Sequence, residues 1–230
     1  MIKKDRKKNT ALITGANGSL GYELCKIFLK NDYNLVLHAR KKNKKISNLK
    51  NKNKDKIEIC YGDLENGKTI ENLAKLAVQK KIDLLINNAG VYSNREFGKT
   101  TIKEIYHIFE VNFFSKICLF SLLLKKNIKE LLIVNINSAA GTSGAANESI
   151  YSASKHALKG FYESISKEKE MKNFNFLNIF PGAFQSKISS KRNDYSSLMR
   201  PKEIAEIIFQ SRKNYDSLKI QDIFLKRKNY

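Results

Sequence analysis

A chain of 230 residues is long enough for one domain with a substantial core, and too short for two ordinary ones. Three scattered cysteines, Cys25, Cys60 and Cys118, exclude a disulfide framework and fit reduced thiols in the cytoplasm, the expected location. The formal net charge of +21 would suit a polyanion, but lysine is spread along the whole chain and no aromatic residues interleave the basic run at 40–56, so nucleic acid is not the expected partner. The basic stretch 1–8 reads as a flexible N-terminus, because the apolar run that follows it, Ala11 to Ile13, is too short for the core of a secretion signal. Ile117 to Leu124, the longest apolar run, is likewise too short to span a bilayer, and no membrane is expected.

The first predicted element is a strand, Ala11 to Thr14, entering a glycine-bearing turn, Gly15-Ala16-Asn17-Gly18-Ser19-Leu20-Gly21. A helix follows with Leu20, Leu24, Ile27 and Phe28 on one face. Strand, glycine turn and helix in that order place backbone amides where a pyrophosphate can sit. Asn34 to Leu37 is a second strand, ending at His38-Ala39-Arg40. An acidic residue usually stands there to bind the ribose 2′-hydroxyl of NAD; here there is none, and Arg40 can instead contact the 2′-phosphate of NADP. A polar connection over 41–56, partly helical around Ile46 and Leu49, leads to a strand, Ile57 to Tyr61, and then Asp63-Leu64.

The pattern continues with a helix, Thr69 to Lys80, and a strand, Ile82 to Ile86, running into Asn87-Asn88-Ala89-Gly90. One long helix is predicted from Thr101 to Lys126, its apolar stripe interrupted by Asn112. Next come a strand, Leu131 to Ile136, the segment Asn137-Ser138-Ala139-Ala140-Gly141, and the helix that carries Tyr151. A strand, Phe176 to Phe180, precedes Pro181-Gly182; a polar stretch leads to a helix opened by Pro201, and Leu218 to Leu225 closes the chain as a strand. Strands and helices alternating with short connections predict one α/β domain over 1–230, a Rossmann-type doubly wound parallel sheet of about seven strands with helices on both faces.

Tyr151 and Lys155 are four apart on a predicted helix and therefore share a face. A free phenol titrates near pH ~10. A neighbouring ammonium stabilises the phenolate and would lower that value, tuning the group for general acid–base work, with the Ser138 hydroxyl able to hold a carbonyl oxygen. His38, His107 and His156 are dispersed with no metal-ligand spacing, so no metal is expected.

Taken in order, Thr14-Gly15, Gly18, Gly21, Asp63-Leu64, Asn87-Asn88-Ala89-Gly90, Asn112, Ser138, Tyr151 with Lys155, and Pro181-Gly182 resemble the short-chain dehydrogenase/reductase family over nearly the whole chain. The resemblance implies that Tyr151 moves the proton, Lys155 tunes it and binds the nicotinamide ribose, Ser138 holds the substrate oxygen, and Asn112 holds a water between Lys155 and solvent. It also implies that Asp63 meets the adenine, that Asn88, Ala89 and Gly90 line the ribose, and that Pro181, Gly182 and Phe184 face the nicotinamide, with Ser186 at its carboxamide. NADP(H) is the expected cofactor and NAD(H) the second option. The family also implies a homodimer or homotetramer built on the long helix and the Tyr151 helix.

Two features differ from the family pattern. Ser19 stands where the single-domain branch has Gly, with Gly18 before it, as in a longer branch acting on nucleotide sugars; the chain ends before the extra residues of that branch, so the single-domain branch is assigned. Residues 183–200 form a short polar substrate lid, which favours a polar or sugar-type substrate over a long acyl chain. The expected function is an NADP(H)-dependent oxidoreductase interconverting a small-molecule carbonyl and alcohol. A 3-oxoacyl-carrier-protein reductase is the alternative within the class, and a non-catalytic NADP(H)-binding sensor or scaffold the alternative outside it.

Overall fold

The structure, a computed structural model, describes residues 9–214 and 218–228, so the basic stretch 1–8 lies outside the described residues. Seven strands form one parallel sheet in the order β3-β2-β1-β4-β5-β6-β7: β1 (Thr10–Ile13), β2 (Asn34–Ala39), β3 (Ile57–Tyr61), β4 (Leu84–Asn87), β5 (Leu131–Ile136), β6 (Phe174–Pro181) and β7 (Asp222–Leu225). The order reverses between β1 and β4, and at such a switch point the loops after the two strands part to leave a crevice.

Alternation along the strands sorts the core into two layers. Ala11 and Ile13, with Leu35, Leu37, Leu84 and Ile86, pack under α1 (Ser19–Lys30), α2 (Lys44–Lys52) and α7 (Pro201–Asn214). On the opposite face Leu12, Val36, Leu85 and Ile133 pack under α3 (Gly67–Gln79), α5 (Ser115–Lys125) and α6 (Ser149–Ile165). Helix starts follow local chemistry. The Asn43 side chain accepts from Ile46 N at 2.9 Å and so opens α2 inside the Lys-rich connection. Asn66 does the same for α3 from Lys68 N at 2.9 Å, which starts that helix at Gly67, before the predicted Thr69. The last strand is shorter than predicted, beginning only at Asp222.

The predicted long helix is not uniform. Thr101 and Glu104 close a capping box that starts α4 (Ile102–Phe109), a π turn occupies Glu110–Phe114, and α5 continues to Lys125. The extra residue per turn re-aims the chain where Asn112 turns inward, a use to which π turns are often put. By length and composition alone, the 24 residues Ile102–Lys125 could cross a bilayer. They carry Asn112, Ser115 and Lys116 on the buried side, and α5 packs against the sheet as a core helix.

A polar ladder crosses four strands in register. Asn87 donates to Asn135 at 2.9 Å, Asn135 to Asn178 at 3.1 Å, and Asn178 to Asp222 at 2.9 Å; Tyr162 Oη lies 3.2 Å from the Asn87 amide. Asn87 and Asn135 are fully buried, so each amide depends on its neighbour for the hydrogen bond it would make with water. Asn135→Ala strands the Asn87 donor and the Asn178 acceptor together. It should cost about 2 kcal/mol and lower the melting temperature by about 4–8 °C, read by thermal unfolding.

Candidate active site

Two adjoining cavities open at the carboxyl ends of the strands. The first, of about 310 Å³, lies over the turn after β1. Gly15 takes a φ of +64°, open to glycine at little cost, and a Cβ on Gly21 would collide with Gly15 O and Ala16 Cα. Gly18, the N-cap of α1, supplies no side-chain cap, and the first helical turn has no acidic residue. The helix therefore offers its unpaired N–H groups and its positive dipole end to the cavity, as an anionic phosphate requires.

The turn is held from two sides. Thr14 Oγ1 accepts from Asn88 N and Ala89 N, each at 3.0 Å, while the Asn88 amide donates to Thr14 O at 2.8 Å and Gly15 O at 3.1 Å. His38 supplies the other tie. Its Nδ1 accepts from Gly15 N at 3.3 Å and its Nε2 donates to Gly62 O at 3.0 Å, which fixes the neutral tautomer. Burial holds its pKa below the ordinary histidine value. The sequence gives His38 no role; its position at the end of β2, facing the glycine turn, is the signal that could have found it. Asn17, Gly18, Ser19 and Leu20 line this cavity with Gly15 and Gly21, as do Arg40, Asp63, Leu64, Asn88, Ala89, Gly90, Phe184 and Ser186.

The second cavity, of about 530 Å³, shares Phe184, Ser186 and Ile188 with the first. Ser138, Tyr151, Pro181 and Gly182 line it, together with Tyr92, Asn94, Glu148 and Arg192, none of which the sequence singled out. Ser138 is the extended N-cap of a short 3₁₀ turn and accepts from Ala140 N at 3.2 Å. Ser186 belongs to a serine knot with Ser189, whose Oγ donates to Phe184 O at 2.6 Å and lies 3.2 Å from Ser186 Oγ. The segment 183–200 folds back on itself: Phe184 and Met199 form a bridge, closed by Gln185 N donating to Met199 O at 2.9 Å.

Asn112 and Lys155 line neither cavity and stand behind Gly90 in the wall of the first. A Cβ on Gly90 would come within 3.3 Å of Asn112 Oδ1 and 3.8 Å of Lys155 Nζ, so the two side chains converge there. Asn112 is spent on structure: Oδ1 accepts from Val91 N at 2.9 Å, and Nδ2 donates to Val91 O at 2.9 Å and Ser154 Oγ at 3.1 Å. Lys155 Nζ donates to Ile136 O at 3.1 Å and Asn137 O at 3.3 Å, and lies 5.7 Å from the Tyr151 ring centre.

The electrostatics differ from the sequence expectation. Burial pushes the Tyr151 phenol up to about 12, the Ser138 hydroxyl pulls it down, and Glu148 and Tyr92 push it further up. Lys155, with its ammonium turned to two carbonyls, does not offset that burial; its own pKa is lowered to about 8 by desolvation. Lys116, one turn after Asn112, is buried with no hydrogen-bond partner for Nζ. Burial and the charge of Lys155 hold it well below the usual lysine range.

The sequence profile of the short chain dehydrogenase family matches residues 9–196. Mouse "Dehydrogenase/reductase SDR family member 7" is 32% identical over 76% of this chain and 55% of its own length. A Rickettsia felis "3-oxoacyl-[acyl-carrier-protein] reductase FabG" is 29% identical over 83% of this chain and 78% of its own. The chain thus spans little more than half the length of the mouse relative. Among solved structures, the Thermococcus sibiricus alcohol dehydrogenase complexed with 5-hydroxy-NADP superposes with a TM-score of 0.86 at 18% identity, covering 97% of this chain and 98% of that one. A 4-hydroxyisoleucine dehydrogenase complexed with NADH gives 0.82 at 22% identity, covering 96% and 98%. At these identities the two structures show the shared Rossmann-like fold.

The His38 tie has a measurable consequence for the glycine turn. His38→Leu removes the acceptor of Gly15 N–H and should weaken about tenfold the binding of whichever of NADH and NADPH binds, as expected for one buried hydrogen bond, in a fluorescence titration. Unchanged affinity would show that the turn holds its shape without the imidazole.

Proposed function

The chain belongs to the short-chain dehydrogenase/reductase family, and on that premise we propose that it is an NADP(H)-dependent oxidoreductase interconverting a carbonyl and an alcohol on a small polar molecule. The observation that carries the reading is the meeting of Ser138 and Tyr151 on one wall of a cavity continuous with the phosphate turn. The residues present fit a dinucleotide: uncapped amides of α1 for the pyrophosphate, Arg40 for a 2′-phosphate, Asp63 for the adenine, and Pro181 and Gly182 for the nicotinamide face. Bound there, NADP(H) supplies or accepts the hydride at the substrate carbon.

The chain's own residues handle the oxygen and the proton. Ser138 donates a hydrogen bond to the substrate oxygen as negative charge develops on it. With its pKa raised to about 12, Tyr151 is protonated at neutral pH and serves as the acid for reduction, giving its proton to that oxygen. In oxidation the phenolate takes the same proton, so that direction should speed up as pH rises. The family pattern gives Lys155, one turn further along α6, the nicotinamide ribose; its Nζ stands behind Gly90 of the first cavity and would have to leave the Ile136 and Asn137 carbonyls to reach it. A protein that only sensed the cofactor would have no use for a phenol, a hydroxyl and a buried ammonium arranged in this way. The 3-oxoacyl-carrier-protein alternative draws on the chain's positive charge, which suits an acidic carrier, and on the likeness to reductases of that name from Rickettsia species.

We also propose a cytoplasmic homo-oligomer, for which exposed Ile102, Tyr106 and Phe114 along α4 and the π turn supply apolar surface. NADPH over NADH is the expected cofactor, because β2 ends at Ala39 and is followed by Arg40-Lys41 with no carboxylate.

Two experiments test the reading. Purified protein should consume NADPH with a panel of polar carbonyl compounds and bind it at least tenfold more tightly than NADH; Arg40→Ala should erase most of that preference, as loss of a bidentate phosphate contact does. Equal affinities in the wild type would contradict the Arg40 assignment. Ser138→Ala removes a hydrogen bond that lowers the Tyr151 pKa, so the pH profile of alcohol oxidation should move to higher pH as well as fall in rate. A move to lower pH would contradict the pairing.

A further inference from the structure

The wall of the second cavity carries a residue pair to which the proton transfer described above gives no part: Tyr92, in the loop after β4, and Glu148, at the start of α6. Tyr92 Oη donates to Glu148 Oε1 at 2.6 Å, the short separation of a hydrogen bond to a charged acceptor. Beside it, Arg95 N donates to Asn147 O at 2.7 Å. The loop that continues from Asn88, Ala89 and Gly90 is therefore pinned to the N-terminal end of α6 by one side-chain bond and one backbone bond. Glu148 is the N-cap residue of that helix, yet its side chain caps nothing, so the carboxylate is given to Tyr92. The positive end of the helix dipole favours a negative charge at this place.

Tyr151 stands three residues further on. Its ring meets the Tyr92 ring edge-on, with centres 5.0 Å apart and planes at 79°. An edge-on contact of this kind constrains the tilt of the ring as well as its distance. The same contact keeps the Glu148 carboxylate close to the Tyr151 phenol, where it opposes ionisation. Two other groups surround the phenol. Ser138 favours the phenolate through its hydrogen bond, and Lys155 has its ammonium turned to the Ile136 and Asn137 carbonyls. Tyr92 itself keeps its proton: burial and Glu148 raise its pKa, and Asn94 and Arg192 offset them only in part.

We propose that Tyr92 and Glu148 are positioning residues for the proton transfer, together setting the tilt of the Tyr151 ring and holding a negative charge beside it, so that Tyr151 remains a proton donor to higher pH. The proposal rests on the oxidoreductase reading above and adds a control on its proton. Ser138 and Glu148 then act on one phenol in opposite senses. The first favours the phenolate that oxidation uses, the second the neutral phenol that reduction uses.

The test follows the ionisation of Tyr151 in the full chain by two readouts. One is the pH profile of carbonyl reduction and of alcohol oxidation at saturating cofactor. The other is NMR of isotope-labelled tyrosine, in which the Tyr151 signal is the one that Tyr151→Phe removes. Glu148→Gln keeps the shape and removes the charge. Its midpoint should fall by about 0.5 on the pH scale, as one partly screened charge near the phenol implies. Reduction is then lost, and oxidation gained, at lower pH than in the wild type. Glu148→Asp keeps the charge and should stay closer to the wild type than Glu148→Gln does. Tyr92→Phe keeps the ring and releases the carboxylate, so its midpoint should fall too. The double variant should fall no further than Glu148→Gln, because the pair acts as one unit. In an active enzyme, a Glu148→Gln midpoint that stays or rises overturns the proposal and leaves the oxidoreductase reading in place. Additive shifts, or Glu148→Asp matching Glu148→Gln, overturn it as well. Midpoints that move as expected by NMR, in a protein that turns over no carbonyl or alcohol with either cofactor, overturn the oxidoreductase reading and support the hold of the pair on the Tyr151 proton.

Discussion

Lys155 is the residue on which the site's geometry depends. Its ammonium is removed from water and tied to the carbonyls of Ile136 and Asn137 at the end of β5, while the Asn137 amide donates back to Lys155 O at 3.2 Å. These reciprocal bonds clamp α6 to the last turn of the strand. One helical turn earlier, the same clamp delivers Tyr151 to the cavity wall beside Ser138, the N-cap of the 3₁₀ turn that follows β5. Burying an ammonium costs solvation, and the lowered pKa of Lys155, about 8, expresses that cost. Such a group persists because the backbone carbonyls replace the water it gave up.

The clamp extends into the neighbouring helices. Asn112, brought inward by the π turn, joins the Val91 backbone to Ser154 on α6. Tyr151, Lys155 and the loop after β4 are thereby held as one body against the sheet. Lys116 places a second amine near this body, and two buried ammonium groups without a carboxylate would repel strongly. Lys155 has carbonyl partners and Lys116 Nζ has none, and burial together with the charge of Lys155 holds the Lys116 pKa well below the usual lysine range.

Strand and helix order were legible because their periods and turn residues agree along the chain: Ala11 and Ile13 alternate with Leu12 as a two-sided strand must, and Pro201 opens α7 as expected. The cavity over the turn after β1 was legible for the same reason, since Gly15, Gly21 and Asn88 occupy places where backbone geometry leaves few alternatives. What escaped depends on tertiary placement. Lys116 lies among residues of an apolar helix face, where a lysine reads as a solvated neighbour, and only the folded chain buries it, within electrostatic reach of Lys155. Glu148 and Arg192 sit far apart in loops and meet only across the folded cavity. The π turn has no local sequence mark beyond Asn112. The expected effect of Lys155 on Tyr151 failed because spacing along a helix fixes proximity, not the partners that the ammonium finally takes.

The most direct measurement on the central claim, that the Tyr151 phenol held by the Lys155 clamp moves the proton, is the Tyr151→Phe variant examined in two ways at once. Phenylalanine keeps the ring and its packing on Tyr92 and removes only the hydroxyl. NAD(P)H affinity by titration should stay within about threefold of the wild type, while the rate of carbonyl reduction in a single turnover should fall by about a thousandfold, the range for loss of a general acid. A reduction rate that survives the substitution would contradict the account.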